Sequence, residues 1–362
     1  MRIGTIAKVA VGAVGALAGA VAAVYGKRLQ TASTIEKVEV LDDGYGIYKM
    51  DVTYDYSIEN IVKTDFEDSQ GYVDAVLAEA LPFLPVHIDL PSFGCSAMQI
   101  KTNDGDWLTG RNYDFRNNTS AMLVHCKPKG GYESLAFAAL DNIGANDPLK
   151  SIKNRMACLT APFICLDGIN EKGVTVSVLT LDSKPTIQST EKPALSTSLV
   201  MRLVLDRAAT TDEAVELLSK YDMIALMGRD YHFFITDASG NSVAVEYDCE
   251  TPDRTMTVTP TEVITNFFVM YGDRLDINEK NSKYGHGLDR YETILHVLLD
   301  ADGSFERKTA WEALESASQL PNPEEITSNT QWSIVYDNTN RTAEVALRRN
   351  WDKKHTFALG KA

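Results

Sequence analysis

Residues 94–115 read GCSAMQIKTNDGDWLTGRNYDF. Two alternating stretches, CSAMQIKT and WLTGRNYDF, flank Asn103-Asp104-Gly105, a turn signal that predicts a hairpin. The first strand opens on a thiol, Cys95, and the second carries Arg111 and Asp114. Side chains alternate along a strand, so Arg111 and Asp114 need a bulge or a strand end to face one site together, and Gly110 offers the freedom to bulge. A guanidinium near a thiol favours the thiolate, and a carboxylate nearby can hold a cation or an amine. The residues themselves leave two readings open: a buried thiol beside a surface Arg–Asp pair, or a nucleophile with its activating groups.

Strands dominate outward from this hairpin. AMLVHCKP pairs with ESLAFAAL across Gly-Gly, and APFICLD with GVTVSVLTL across GINEKG. A helical block follows: STSLVMRLVLDRAA, then DEAVELLSKY capped by Thr211. Strands return in YHFFITD, SVAVEYD, MTVTP and EVITNFF; then come helices GLDRYETILHVLLD and RKTAWEALESAS and a closing hairpin, QWSIVYDNTNRTAEVAL. Upstream, EKVEVLDDGYGIYKMDVTYDY reads as a hairpin. GYVDAVLAEAL reads as a helix capped by Asp68 or Ser69. LPFLPVHIDLPSFG, with three prolines, reads as an extended connector leading to Cys95. Helices grouped away from sequential hairpins predict an α+β fold of antiparallel sheets under helical layers.

The chain has 362 residues, 44% hydrophobic, with a formal net charge of -15. That acidity excludes ordinary nucleic-acid binding, which needs basic surface. Cys95, Cys126, Cys158, Cys165 and Cys249 form no Cys-x-x-Cys pair and no zinc spacing, and no cofactor motif is present. Cys126, Cys158 and Cys165 lie in apolar surroundings and read as small buried hydrophobes. Residues 1–28 stand apart. An uncharged run from Val9 to Tyr25 lies between Arg2 and Lys8 on one side and Lys27 and Arg28 on the other. It predicts a membrane anchor or a secretory signal, with the bulk of the chain outside the cytoplasm. The expected division is 1–28 anchor or signal, 29–94 a section preceding the nucleophile, and 95–362 the main domain.

The spacing of Cys95, Arg111 and Asp114, with GRNYDF, closely resembles the start of the cysteine N-terminal-nucleophile (Ntn) amidases. These include choloylglycine hydrolases, penicillin V acylases, acid ceramidases and N-acylethanolamine acid amidases. The resemblance continues through DGINEKGVTVSVL, FFITDASGNSVAVEYD, VITN at 263–266 and GLDRYETI, covering 95 to about 350. It implies a four-layer αββα sandwich and a nucleophile, Cys95, that becomes the first residue of the mature chain. Gly94 would be the residue cut away, Arg111 would stabilise the thiolate and Asp114 would orient the freed amine. Asn266 would serve the oxyanion, and Arg290 stands where the family keeps a late active-site arginine. Where bile-salt hydrolases carry an asparagine after the NEKG turn, this chain has Thr180, which weakens that specificity.

The resemblance therefore implies hydrolysis of small N-acyl amides, with lipid-like acyl groups among them, through an autoprocessed cysteine and a thioester. It implies no cofactor and no metal. Acyl transfer to an amine, bile-salt hydrolysis and a non-catalytic tethered relative are the alternatives. Assembly into a homo-oligomer is left open.

Overall fold

The computed structural model describes residues 24–64, 66, 68–82, 84–89, 93–226, 228–276 and 282–360. Most of the run Val9–Tyr25, and with it the expected anchor, lies outside these residues. Among the described residues no helix is long and apolar enough to cross a membrane. A helix over 24–34 (α1) spans the expected 28/29 boundary. Its Lys27 pairs with Asp55 at 2.6 Å, and Arg28 donates to Ala80 O at 2.7 Å.

The larger sheet has nine strands, in the order β1 (Glu36–Val40), β2 (Gly46–Val52), β5 (Ala121–Cys126), β6 (Ser134–Ala139), β7 (Cys165–Asn170), β8 (Thr175–Leu181), β11 (Asp230–Thr236), β12 (Ser242–Tyr247) and β13 (Met256–Pro260). The smaller has six, in the order β14 (Val263–Ile264), β3 (Gly94–Lys101), β4 (Trp107–Asp114), β17 (Thr330–Asp337), β18 (Thr342–Leu347) and β19 (Lys354–Ala358). Two short pairs complete the set: β9 (Ala194–Ser196) with β10 (Asp222–Ile224), and β15 (Asn266–Phe267) with β16 (Gly285–His286). The two large sheets are antiparallel with one exception: β2 runs parallel to β5, in register from Ile47↔Ala121 to Val52↔Cys126.

Chain order places α2 (Ile58–Val62), α3 (Ser69–Ala80), α4 (Ile152–Ala157), α5 (Thr197–Arg207), α6 (Thr211–Leu218), α7 (Leu288–Asp300) and α8 (Arg307–Ser316). Helices α5 and α6 pack on the larger sheet, α7 and α8 on the smaller. The layers follow from strand alternation. Ala97, Tyr113, Trp332, Ile334 and Tyr336 join the core between the sheets. Met98, Leu108 and Val335 face Ile294, Ala310 and Leu314 under α7 and α8. This is the expected four-layer αββα sandwich.

Several local expectations shift. The cap of α6 is Thr210, not Thr211: the Thr210 side chain accepts from Glu213 N. Asp68 caps α3 by accepting from Gly71 N. EVITNFF does not form one strand. It breaks at Thr265, so that β14 pairs with β3 while β15 pairs with β16. Cys126, Cys158 and Cys165 are buried and free, as expected.

The section before Cys95 is built into the same body. Ile47, Tyr48, Met50, Tyr54, Ile61 and Tyr72 belong to the same buried apolar cluster as Ala97 and Tyr113. Tyr54 and Tyr72 donate to Leu159 O and Phe163 O.

Candidate active site

Cys95 lies at the start of β3, fully buried, paired with Tyr113. Ala97 pairs with Arg111, so Arg111 shares the face of the thiol. Its Nη2 lies 3.0 Å from Sγ and also donates to Val178 O at 3.0 Å on β8. Nη1 pairs with Asp167 on β7, whose other oxygen accepts from the Tyr336 hydroxyl. The guanidinium is thus clamped between the two sheets, with a buried carboxylate balancing its charge. Asp167 opens the DGINEKG segment, yet its own role was not read from the sequence; a buried acid facing Arg111 becomes visible only when the sheets stack.

Asp114 is on the other face. Of the two routes the sequence left open, there is no bulge at Gly110, since register runs unbroken from Gly94↔Asp114 to Lys101↔Trp107, and Asp114 is instead the last residue of its strand. Gly110 serves packing, since a Cβ there would lie 2.6 Å from Met98 Cε and 3.3 Å from Leu314. The irregularity occurs on β17, between Thr330 and Trp332, and places Thr330 opposite Asp114. Thr330 Oγ1 donates to Asp114 Oδ1 at 2.6 Å, and Arg290 Nη1 lies 3.5 Å from Oδ2. Burial raises the Asp114 carboxyl above its ordinary range, against the pull of Arg290. Arg111 and Asp114 therefore bracket the Gly94–Cys95 segment from opposite faces of one sheet.

The main chain of Cys95 is gripped as well. Its N–H donates to Asn266 Oδ1 at 2.8 Å, and its carbonyl accepts from Arg290 Nη1 at 2.5 Å. Arg290 Nη2 donates to the same Asn266 oxygen at 2.9 Å. Asn266 Nδ2 donates to Thr180 O at 2.8 Å and lies 3.3 Å from Thr180 Oγ1. The two donors facing Oδ1 set this amide orientation, since the reverse would oppose donor to donor. The Asn266 donor group is thus turned to Thr180. Thr180 in turn donates its hydroxyl to Phe93 O. Phe93 packs against Tyr113 and Tyr231, with ring centroids 5.4 and 6.3 Å away. Gly94 is needed at its position because a Cβ would lie 2.7 Å from Thr327 O.

Arg290 reaches the site from the first turn of α7. Gly287, the residue before the helix, has φ +87, and a Cβ there would come within 2.5 Å of Arg290 Nη2. A buried pair that the sequence did not disclose holds the other side. His232 Nδ1 faces Glu246 Oε1 and Nε2 faces Thr265 O, both at 2.9 Å. Glu246 also accepts from Val269 N and Met270 N at 2.7 and 2.9 Å. Both ring nitrogens lie within hydrogen-bond distance of oxygens, and the pair fixes the chain on either side of Asn266.

Burial pushes the Cys95 thiol up to about 11, with Arg111 opposing the shift. At neutral pH the thiol is therefore protonated, and it is fully buried. Among the described residues no group of three or more His, Cys, Asp or Glu is gathered to hold a metal ion.

Known proteins share this framework. The family model for acyl-coenzyme A:6-aminopenicillanic acid acyl-transferase matches residues 100–352, starting just after Cys95 and including Arg111, Asp114, Thr180, Asn266 and Arg290. A penicillin V acylase of Pectobacterium atrosepticum is 36% identical over 95 residues, spanning 22% of this chain and 24% of that protein. Among solved structures, penicillin V acylase from Agrobacterium tumefaciens has TM-score 0.50 at 18% identity, covering 70% of this chain and 83% of that one. A mutant of conjugated bile acid hydrolase from Clostridium perfringens has TM-score 0.54 at 15% identity, covering 73% of this chain and 92% of that one. With the sandwich in place and the family match spanning more than half of its length, this chain belongs to the acyl-coenzyme A:6-aminopenicillanic acid acyl-transferase family of cysteine Ntn amidases.

Proposed function

We propose that the chain is an amide hydrolase of small N-acyl compounds whose nucleophile, Cys95, becomes N-terminal by scission of the Gly94–Cys95 bond. The observation that carries this reading is the grip on one residue: Arg111 on its thiol, Asn266 on its N–H and Arg290 on its carbonyl. Maturation begins with Cys95 Sγ attacking the Gly94 carbonyl carbon. The thiol proton passes to the departing Cys95 nitrogen, leaving a thioester and a free amine. Water then cleaves the thioester to a Gly94 carboxylate and the thiol. Displacement of the freed Gly94 end would open the same thiol to substrate.

In turnover the freed α-amine, with an intrinsic pKa of about 7.7–8.0, takes the thiol proton. It returns that proton to the leaving amine as the acyl group passes to sulfur, and water resolves the thioester. Asp114 lies beside the position of that amine and would hold its charged form. Asn266 would turn its Nδ2 from Thr180 to the developing oxyanion. Thr180 in place of an asparagine speaks against bile salts as substrates. Transfer of the acyl group to an amine is the second reading, favoured by the family's transferase member; added amine acceptors would then yield a new amide.

The section before Cys95 stays bound after scission in this account, because β2 is paired along β5 and its side chains lie in the core. The run Val9–Tyr25 would tether or export the protein. Fractionation with and without residues 1–28 tests this, and equal recovery in the soluble fraction would count against a tether.

N-terminal sequencing of active protein should begin CSAMQ, and Cys95→Ala should remain uncut and inactive toward a panel of N-acyl amides. Full activity with the Gly94–Cys95 bond intact would sink the mechanism, because an amide nitrogen cannot act as the base. The sealed thiol gives a second check. With its pKa pushed up to about 11, the uncut form at pH 8 should hold on the order of 0.1% thiolate and alkylate slowly, about tenfold faster per pH unit. The cut form should alkylate readily at pH 8.

A further inference from the structure

At the Asp114 end of the smaller sheet, a cleft of about 690 Å³ departs from the acidic character of the chain. Three arginines line it, Arg116, Arg348 and Arg349, together with amides including Asn118 and Asn329 and two prolines; among the described residues no acidic one lines it. Arg348 and Arg349 are the two central residues of the turn leaving β18, closed by Asn350 N donating to Leu347 O at 2.8 Å. Their φ values are 47 and 60. Two left-handed residues in a row form the pattern that Asn-Gly adopts freely, and arginine adopts it only against its Cβ. Asn329 is left-handed too, with φ 67. Of the seven non-glycine residues with positive φ among the described residues, three line this one cleft. Backbone strain gathered at one place is a mark of a functional surface.

The charges there are incompletely answered. Arg349 Nη1 donates to Gln319 O, Asn329 Oδ1 and Thr330 O at 2.9, 3.3 and 3.2 Å, all neutral acceptors. Arg116 Nη1 meets Pro323 O, a neutral acceptor, at 3.2 Å. Arg348 lies 3.3 Å from Asp43, but its Nη2 is buried without a hydrogen-bond partner. Burial and the neighbouring Arg348 both disfavour the charge on Arg349 as it stands. An incoming anion would answer all three guanidinium groups, whose paired N–H donors match the two oxygens of a carboxylate or phosphate.

We propose that this cleft is an oxyanion site that takes the carboxylate or phosphate end of a small ligand. The cleft is roomier than an anion alone requires, and the prolines give its remainder an apolar wall. The site shares a wall with the candidate active site: Arg349 holds the Thr330 carbonyl, and the Thr330 hydroxyl holds Asp114. The proposal does not depend on the reaction at Cys95.

The test is calorimetric titration of the full chain with inorganic phosphate and, separately, with acetate, against chloride at matched ionic strength. Saturable binding of at least one is expected, and the better of the two names the class. Arg116→Gln, at an exposed position, should weaken binding at least tenfold with an unchanged melting temperature. The double variant Arg348→Asn, Arg349→Gly supplies the residues this turn favours. It should stay folded by circular dichroism and lose binding. Cys95→Ala should bind as the parent does, which separates this site from the proposed chemistry. No saturable binding of either anion, or undiminished binding in Arg116→Gln or in the folded double variant, overturns the proposal.

Discussion

The thiol side and the main-chain side of Cys95 are held by different means. On the thiol side, Arg111, Asp167 and Tyr336 come from strand positions that face each other across two stacked sheets. On the main-chain side, Asn266 comes from a two-residue strand and Arg290 from the first turn of a helix. The first arrangement is rigid because every member is fixed by a ladder of backbone hydrogen bonds. The second depends on loops steadied by His232, Glu246 and Gly287. The thiol is therefore placed by register, whereas the groups that meet its peptide are placed by side-chain hydrogen bonds and would change partners on the proposed scission.

Breaking the rigid side should have the largest effect. Asp167→Asn leaves the Arg111 charge buried and unpaired, at a cost of about 3–5 kcal/mol. The expected result is a melting temperature lowered by several degrees and loss of activity. An unchanged melting temperature would show that the sheets do not depend on this pair.

On the looser side the effect should fall on turnover. Asn266→Ala should lower kcat about 10²–10³-fold with little change in KM, as for other oxyanion donors. Equal loss in KM would make Asn266 a binding group. One step further out, His232→Asn removes the bond from Nε2 to the Thr265 carbonyl; an unsatisfied buried carbonyl costs about 1–3 kcal/mol. A drop in kcat of about tenfold at near-constant KM is expected, and Glu246→Gln should act in the same direction. A fall in stability without any effect on kcat would separate this pair from Asn266.

The smallest change serves as a control remote from both sides. Thr210→Ala removes the cap of α6 and should cost about 1 kcal/mol, read as a small drop in melting temperature with kcat unaffected. A change in kcat would mean that the helical layer over the larger sheet is coupled to Cys95.

Periodicity and turn chemistry disclosed most elements, since each depends on neighbours in the chain. The hairpin around Asn103-Asp104-Gly105 and the helices at 197–207, 288–300 and 307–316 stand where those signals put them. The cap of α6 moved by one residue because Thr210 and Thr211 carry the same cap chemistry. Gly110 misled for a similar reason: glycine signals both bulges and close packing, and only the neighbours Met98 and Leu314 distinguish them. The short strand at 354–358, on the edge of the smaller sheet, carried no turn or alternation signal that separated it from a tail.

For the site, spacing along the chain located Cys95, Arg111 and Asp114 on paired strands, and resemblance pointed to Asn266 and Arg290. Alternation within a strand already put Arg111 and Asp114 on opposite faces. What acts between the faces was not legible. Asp167, Tyr336, His232 and Glu246 are remote in sequence from the groups they hold, and their contacts exist only after the sheets pack. The sequence by itself determined the hairpin and put Cys95, Arg111 and Asp114 on its two strands, because those are local properties of a chain. Only the tertiary structure decided which charges balance Arg111, which way Asn266 turns its amide and that the thiol is fully buried, because burial and hydrogen-bond partners arise when distant segments exclude water together.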